Sequence, residues 1–204
     1  MKKAITILSL AALAIVGTTA FKPVTNPELE LGAAIPKSDV KMMDVSGKEI
    51  SLADAKLENG LLVIFSCNTC PYVKLAENRI KDITSIALRF KIGIVIVNSN
   101  EAQRSADDSF EEMKKYATAQ GYKANYVVDK NSQVADAFGA TRTPQCFLFD
   151  KNGLVYRGAI DDNIKDAADA KELYLREALF AVGTGKPVKT TSTKSVGCTI
   201  KRVE

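Results

Sequence analysis

The reactive side chains of this 204-residue chain are its four cysteines, Cys67, Cys70, Cys146 and Cys198. Two of them stand three apart in Cys67-Asn68-Thr69-Cys70-Pro71. At a helix start that spacing lets two sulfurs reach one another, so the pair can cycle between dithiol and disulfide. The chain contains no histidine. This removes Cys/His metal sites and imidazole bases, and with them a papain-like cysteine hydrolase. What remains for sulfur is exchange with disulfides, oxidation by a peroxide, an all-thiolate metal site or a set of structural disulfides.

The elements around the pair decide among these. The unbroken apolar run Leu61 to Phe65, preceded by Gly60, is too short for an ordinary helix and reads as a strand buried on both faces, as in a parallel sheet. After the cysteines, Val73, Ala76, Ile80, Ile83, Ala87 and Phe90 recur at steps of three and four, predicting a helix from about Cys70 to Phe90. The first turn of a helix has unpaired N–H groups and partial positive charge, which favour a thiolate. Free cysteine titrates near ~8.5, and thiols of such motifs fall to roughly 3.5–7.5. Pro71 suits the first turn, where its missing N–H is not needed.

Further along, the pattern keeps alternating. Val40 and Met42, the turn Ser46-Gly47-Lys48, then Ile50 and Leu52 predict a small hairpin ahead of the main sheet, with one helical turn over Ser51 to Lys56. Ile92 to Val97 is a second buried strand, ending in Asn98-Ser99-Asn100. A helix over Ser109 to Gln120 stops at Gly121; a strand over Tyr126 to Asp129 and a short helix over Val134 to Phe138 follow. Thr143-Pro144 leads into the strand Cys146 to Phe149, which Lys151-Asn152-Gly153 turns into Leu154 to Ile160. A last helix is expected from about Ala168 to Val182. The result is an α/β sheet with helices on both faces, whose ligands gather at the carboxyl ends of the strands, where Cys67 and Asn98 lie.

The 28 basic and 24 acidic residues give a net charge of +4, which falls to +2 without Lys2 and Lys3. That is no nucleic-acid footprint. Residues 1–20 have the form of a signal peptide: Met1-Lys2-Lys3, an apolar stretch from Ala4 to Gly17, then Thr18-Thr19-Ala20. Export to a periplasmic or extracellular compartment is the expectation, with no membrane span after cleavage and an environment in which disulfides persist. Residues 21–30 read as an extended lead-in, 31–183 as the sheet domain, and 184–204 as a Lys/Thr/Ser-rich tail whose 184–194 portion is a flexible linker to Cys198.

Several blocks now resemble the thioredoxin superfamily, in its redoxin branch related to alkyl hydroperoxide reductase and thiol-specific antioxidant proteins. They are Gly47-Lys48 with Ser51-Leu52, Cys67 to Lys74, Asn98-Ser99-Asn100, Thr143-Pro144 ahead of Phe147 to Asp150, Tyr156-Arg157-Gly158 with Asp161-Asp162, Gly185-Lys186-Pro187, and Gly197 to Lys201. Together they span about residues 31 to 201. The resemblance implies a thioredoxin-like fold: a central mixed sheet with helices on both faces, an N-terminal β-hairpin extension and a C-terminal tail. It also implies that Pro144 is a cis-proline facing the cysteines, with Thr143 offering its backbone to a substrate strand. The chain departs from relatives with histidine inside the motif, having Thr69 there, and from thioredoxins, having Ser66 before the first cysteine and no acid between Leu61 and Phe65. The Pro-x-x-x-Thr-x-x-Cys motif of peroxiredoxins is also broken, since Cys67 or Ile64 falls where threonine belongs.

The leading expectation is an exported thiol–disulfide oxidoreductase. Cys67, the more exposed sulfur, attacks a substrate disulfide and Cys70 resolves the mixed disulfide; Lys74 and Arg142 support the thiolate, and Thr143 and Pro144 hold the substrate. The alternatives are a peroxiredoxin-like thiol peroxidase, with Arg142 on the peroxide and Cys198 as the resolving thiol, and a non-catalytic thiol- or metal-binding domain. Cys146 reads as an inert buried thiol. Sulfur does the chemistry, so no cofactor and no metal are called for. The partners are protein or small-molecule thiols, disulfides or peroxide, with an external protein reductant or oxidant.

Overall fold

The computed structural model describes residues 27–203; the expected signal peptide and the start of the lead-in lie outside them. The main sheet contains β1 (Met42–Asp44), β2 (Glu49–Ile50), β3 (Gly60–Ser66), β4 (Ile92–Asn98), β5 (Asn125–Val128), β7 (Gln145–Phe149) and β8 (Leu154–Gly158), in the order β2-β1-β5-β4-β3-β7-β8. Strands β3, β4 and β5 are parallel, and β7, β8, β1 and β2 extend them antiparallel. The sheet is therefore mixed, and the expected hairpin of β1 and β2 is its outer edge rather than a separate unit. A second small sheet pairs β6 (Arg142–Thr143) with β9 (Cys198–Thr199).

The apolar runs behave as two-faced strands because side chains alternate across a sheet. Leu62, Ile64, Ile94, Ile96, Cys146 and Leu148 face one core, which α2 (Pro71–Arg89), α3 (Phe110–Gln120) and α5 (Tyr174–Gly183) cover. Leu61, Val63, Phe65, Val95, Val97, Phe147 and Phe149 face the other, under α1 (Leu52–Ala55) and α4 (Gln133–Phe138). In that second core Phe138 packs edge-to-face on Phe65, Phe147 and Phe149, with ring centroids 5.2–5.8 Å apart. The chain thus has the thioredoxin-like α/β architecture, with helices on both faces.

Local signals place most boundaries. Helix α2 runs between Cys70 and Phe90 as its caps, has Pro71 in its first turn, and buries Val73, Ala76, Ile80, Ile83 and Ala87. Ser51 and Asp54 close a capping box on α1, and Ser109 caps α3 through the N–H of Glu112. Two expectations fail. Helix α5 starts at Tyr174, because Asp161, Asn163 and Asp166 accept hydrogen bonds from backbone N–H groups two or three residues on, and such Asx turns compete with helix.

The tail is not a free linker either. Thr191 accepts from the Arg157 N–H at 3.0 Å, the Thr193 N–H donates to the Arg157 carbonyl at 3.0 Å, and Ile200 is buried in the second core. Gly158, at φ +135, permits this close passage, since a Cβ there would stand 2.2 Å from Thr193 Oγ1. Among the described residues no helix is long and apolar enough to cross a membrane.

Candidate active site

Because β3 and β4 pair with Ser66 opposite Asn98, the chain segments that follow both strands emerge at one edge of the sheet. Cys67 and Asn68 leave β3 there, and Cys70 is the N-cap of α2. The Thr143–Pro144 peptide is cis and lies against them. Thr143 Oγ1 is 3.5 Å from Cys67 Sγ, and the Thr143 carbonyl oxygen is 3.2 Å from Cys70 Sγ. The structure thus brings Cys67, Cys70, Thr143 and Pro144 together. It adds Cys198, whose Sγ is 2.6 Å from that of Cys70. All four cysteines are free thiols. A groove of about 420 Å³ runs beside Pro144, lined by Ile160, Asp161, Tyr174 and Val196 among others.

Three expectations need correction. Cys67 is not the exposed sulfur: Cys67 and Cys70 are 2% and 3% exposed, because β9 lies across them, while Cys198 is half-buried. Arg142 does not face the thiols or a peroxide site. Its guanidinium points along β9, donating to Thr199 Oγ1 at 3.1 Å and to the Gly197 carbonyl at 3.4 Å. Lys74 is exposed on the outer side of α2, where it lines a shallow surface pocket with Thr69 and Glu112, and among the described residues it makes no hydrogen bond to a sulfur. Cys146 stands apart, fully buried under α2 and α5, and burial pushes its thiol pKa up.

The electrostatics couple the two sulfurs of the pair. Cys70 is pulled down to about 4, first by a hydrogen bond from Cys67 and then by one from Cys198 and by the Val73 N–H, against the cost of burial. Cys67 is pushed up because it donates that hydrogen bond, because it is buried, and because the Asp108 carboxylate stands nearby. Cys198 is raised to about 11 by burial and by its hydrogen bond to Cys70. The two thiols are thus coupled, and the helix start favours one negative charge within the pair.

The sequence reading overlooked Asp108. It is fully buried and accepts hydrogen bonds from the Asn68 N–H (2.8 Å), Asn98 Nδ2 (2.7 Å) and Asn100 Nδ2 (2.9 Å). Tyr126 Oη donates to Asn68 Oδ1 at 2.8 Å, so Asn68 is held from two sides. Asp108 thus anchors the Cys-x-x-Cys turn from beneath. The repeated Asn98-Ser99-Asn100 block was the available signal, because its amides are the other donors to Asp108.

Comparison with known proteins agrees with this fold. The chain matches the model of the AhpC/TSA family over residues 31–157. It is 25% identical over 150 residues to the thiol-disulfide oxidoreductase ResA of Geobacillus thermodenitrificans, covering 74% of this chain and 82% of that one. Among solved structures it is similar to an uncharacterized conserved protein from Geobacillus kaustophilus (32% identity, TM-score 0.79, covering 85% of this chain and 93% of that one). It is also similar to a hypothetical protein from Sinorhizobium meliloti 1021 (33% identity, TM-score 0.77, covering 87% and 97%). With a mixed thioredoxin-like sheet, a cysteine pair at a helix start and a family match over most of its length, the chain belongs to the AhpC/TSA family.

Proposed function

We propose that this protein is an exported thiol–disulfide oxidoreductase that works through the Cys67/Cys70 pair. The observation that carries the reading is the meeting of both sulfurs with Thr143 at the start of α2, at 3.5 and 3.2 Å. In this reading the attacking thiolate is that of Cys70, at the start of the helix. The Cys70 thiolate attacks one sulfur of a substrate disulfide, a new S–S bond forms, and the other substrate sulfur leaves as a thiolate. Cys67 then attacks Cys70 Sγ, passes its proton to the departing substrate sulfur, and closes the Cys67–Cys70 disulfide. An external dithiol restores the pair; run backwards, the same steps oxidise a substrate. Cys70 is assigned as the attacking sulfur, where the residue types alone suggest Cys67, because it caps helix α2 and is the sulfur that Cys198 Sγ meets at 2.6 Å. The Lys-Lys and apolar character of residues 1–20 supports export.

The test is insulin reduction with dithiothreitol as the electron donor. Wild-type protein should accelerate it, and Cys70→Ser should lower the catalysed rate by roughly a hundredfold, since every exchange passes through that sulfur. Wild-type rates in Cys70→Ser would end the proposal. A peroxide-reducing reading is weakened by the placement of Arg142 on the tail and by the broken threonine motif.

A further inference from the structure

The tail holds a cysteine where a substrate would present one. An extended peptide binds such a fold by adding a strand beside the residue that precedes the proline, using backbone hydrogen bonds for affinity. Here that position is taken by the chain itself. Strand β9 pairs antiparallel with β6, with Cys198 opposite Thr143 and Thr199 opposite Arg142. Thr143 is the residue whose hydroxyl and carbonyl touch Cys67 and Cys70. The register delivers Cys198 Sγ to within 2.6 Å of Cys70 Sγ, closer than an ordinary sulfur hydrogen bond and longer than the ~2.05 Å of a covalent S–S bond.

The tail is built for this contact. Gly197 has no side chain where a Cβ would stand 2.1 Å from the Thr143 carbonyl oxygen. On one side of Cys198, Thr193 Oγ1 accepts from the Ala159 N–H at 2.9 Å. On the other, Ile200 is buried, the Lys201 N–H donates to Asn100 Oδ1 at 2.9 Å, and Arg142 clasps Gly197 and Thr199. Asn100 is also one of the donors to Asp108, so the tail and the Cys-x-x-Cys turn hang on the same network. Held at both ends, Cys198 meets Cys70 at a high effective concentration. It is also the outermost of the three sulfurs, the other two being closed off from solvent beneath it.

We propose that Cys198 is a third redox cysteine, carried by a tail strand that stands in for a substrate, and that it exchanges with the Cys67–Cys70 disulfide at Cys70. The proposal rests on the dithiol function above. After substrate reduction the oxidised pair is buried. The Cys198 thiolate attacks Cys70 Sγ; the Cys70–Cys198 bond forms and the Cys67–Cys70 bond breaks. Cys67 leaves as a thiolate and takes up the proton that Cys198 released. No electrons enter or leave, so this step needs no oxidant; it moves the disulfide outward. An external protein dithiol then attacks Cys198 Sγ, which frees the Cys70 thiolate, and its second thiol displaces Cys198 while the external pair closes to a disulfide. A substrate uses the same place only when β9 has lifted from β6.

Trypsin separates the relevant sulfurs, because peptides 57–74, 143–151 and 195–201 carry Cys67 with Cys70, Cys146, and Cys198 respectively. Cys67→Ser protein treated with oxidised glutathione should yield peptide 57–74 joined to 195–201, with two glutathione thiols released per link. Cys70 carrying glutathione beside a free Cys198 would overturn the proposal. Kinetically, the Cys67–Cys70 disulfide of Cys198→Ser should be reduced by dithiothreitol at least about tenfold more slowly than that of the wild type, because the reductant must reach a covered sulfur. Adding Gly197→Val, which pushes β9 off Thr143, should restore the rate. An unchanged rate in Cys198→Ser would also overturn the proposal. Failure of the dithiol function itself reads differently: oxidised wild type would then show peptide 57–74 in no disulfide, neither internal nor to 195–201, and Cys70→Ser would leave insulin reduction untouched.

Discussion

Cys70 is drawn toward its charged form by hydrogen bonds from its neighbours and by its place at the helix start, although the Thr143 carbonyl oxygen also stands 3.2 Å from it. Cys70 falls to about 4 under hydrogen bonds from Cys67, from Cys198 and from the Val73 N–H, against an ordinary thiol value of 9.0. Between those two values the folded chain has released a proton that the unfolded chain keeps, so this thiol makes stability rise with pH across that window. Its contribution is fully present above the ordinary value and is lost as pH falls through about 4. Cys67 and Cys198 are raised, so their contributions are complete below the ordinary thiol value; that of Cys198 is lost as pH rises through about 11. Thiolate absorbance at 240 nm should therefore show about one thiolate per reduced chain at neutral pH. Cys70→Ser should abolish it, and Cys67→Ala, which removes the first donor, should move its midpoint upward. A neutral-pH signal that survives in Cys70→Ser would mean that the charge sits on another sulfur.

Among the elements, the segment between β4 and α3 does more for the site than its irregular shape suggests. It carries Asn98, Asn100 and Asp108, and Arg104 ties it down by donating to the carbonyls of Asp108 at 2.6 Å and Asn98 at 2.8 Å. Truncating Asp108→Ala would leave the Asn68 N–H and the amides of Asn98 and Asn100 buried without that acceptor, at about 1–3 kcal/mol for each donor. Urea denaturation should thus show a loss of about 3 kcal/mol or more, with Asp108→Asn intermediate, and insulin reduction should fall in step as the Cys-x-x-Cys turn loses its anchor. Wild-type stability in Asp108→Ala would show that this network does not hold the turn. Helix α2 adds a second buried acid, Glu77, which accepts hydrogen bonds from Tyr116 and Tyr122; burial raises its pKa. That contact fastens α2 to α3 and its flanking loop.

At the scale of the molecule, Arg157 joins the two ends of the described chain. From β8 its guanidinium donates to the carbonyls of Glu28 and Leu29, pairs with the Glu28 carboxylate at 3.3 Å, and reaches Ser192 Oγ at 3.3 Å. Lead-in and tail are thereby held against β8, and the tail runs on from there to cover the sulfurs. Arg157→Ala should leave the sheet intact but loosen both segments. Hydrogen exchange should quicken at Leu29 and Thr193, and alkylation of Cys70 by iodoacetamide should rise several-fold, as β9 lifts more often. Unchanged exchange at both segments would mean that the other tail contacts suffice without Arg157.

Much of this architecture is readable along the chain because its causes are local. The apolar runs of β3 and β4, the steps of three and four from Val73 to Phe90, and the turn residues Gly121 and Gly139 each act through neighbours a few positions away. The amino-acid sequence by itself therefore determined the α/β class, the two central strands, and a cysteine pair at a strand–helix junction. The late start of α5, the tether of the tail, the part played by Asp108 and the meeting of Cys198 with Cys70 were settled only in three dimensions. Each depends on groups far apart in the chain or on turns that outcompete a helical pattern: Asp108 lies 40 residues from Asn68, and Cys198 lies 128 from Cys70. Periodicity carries no record of such pairs, because burial, charge and hydrogen bonding at a sulfur depend on what folding brings beside it.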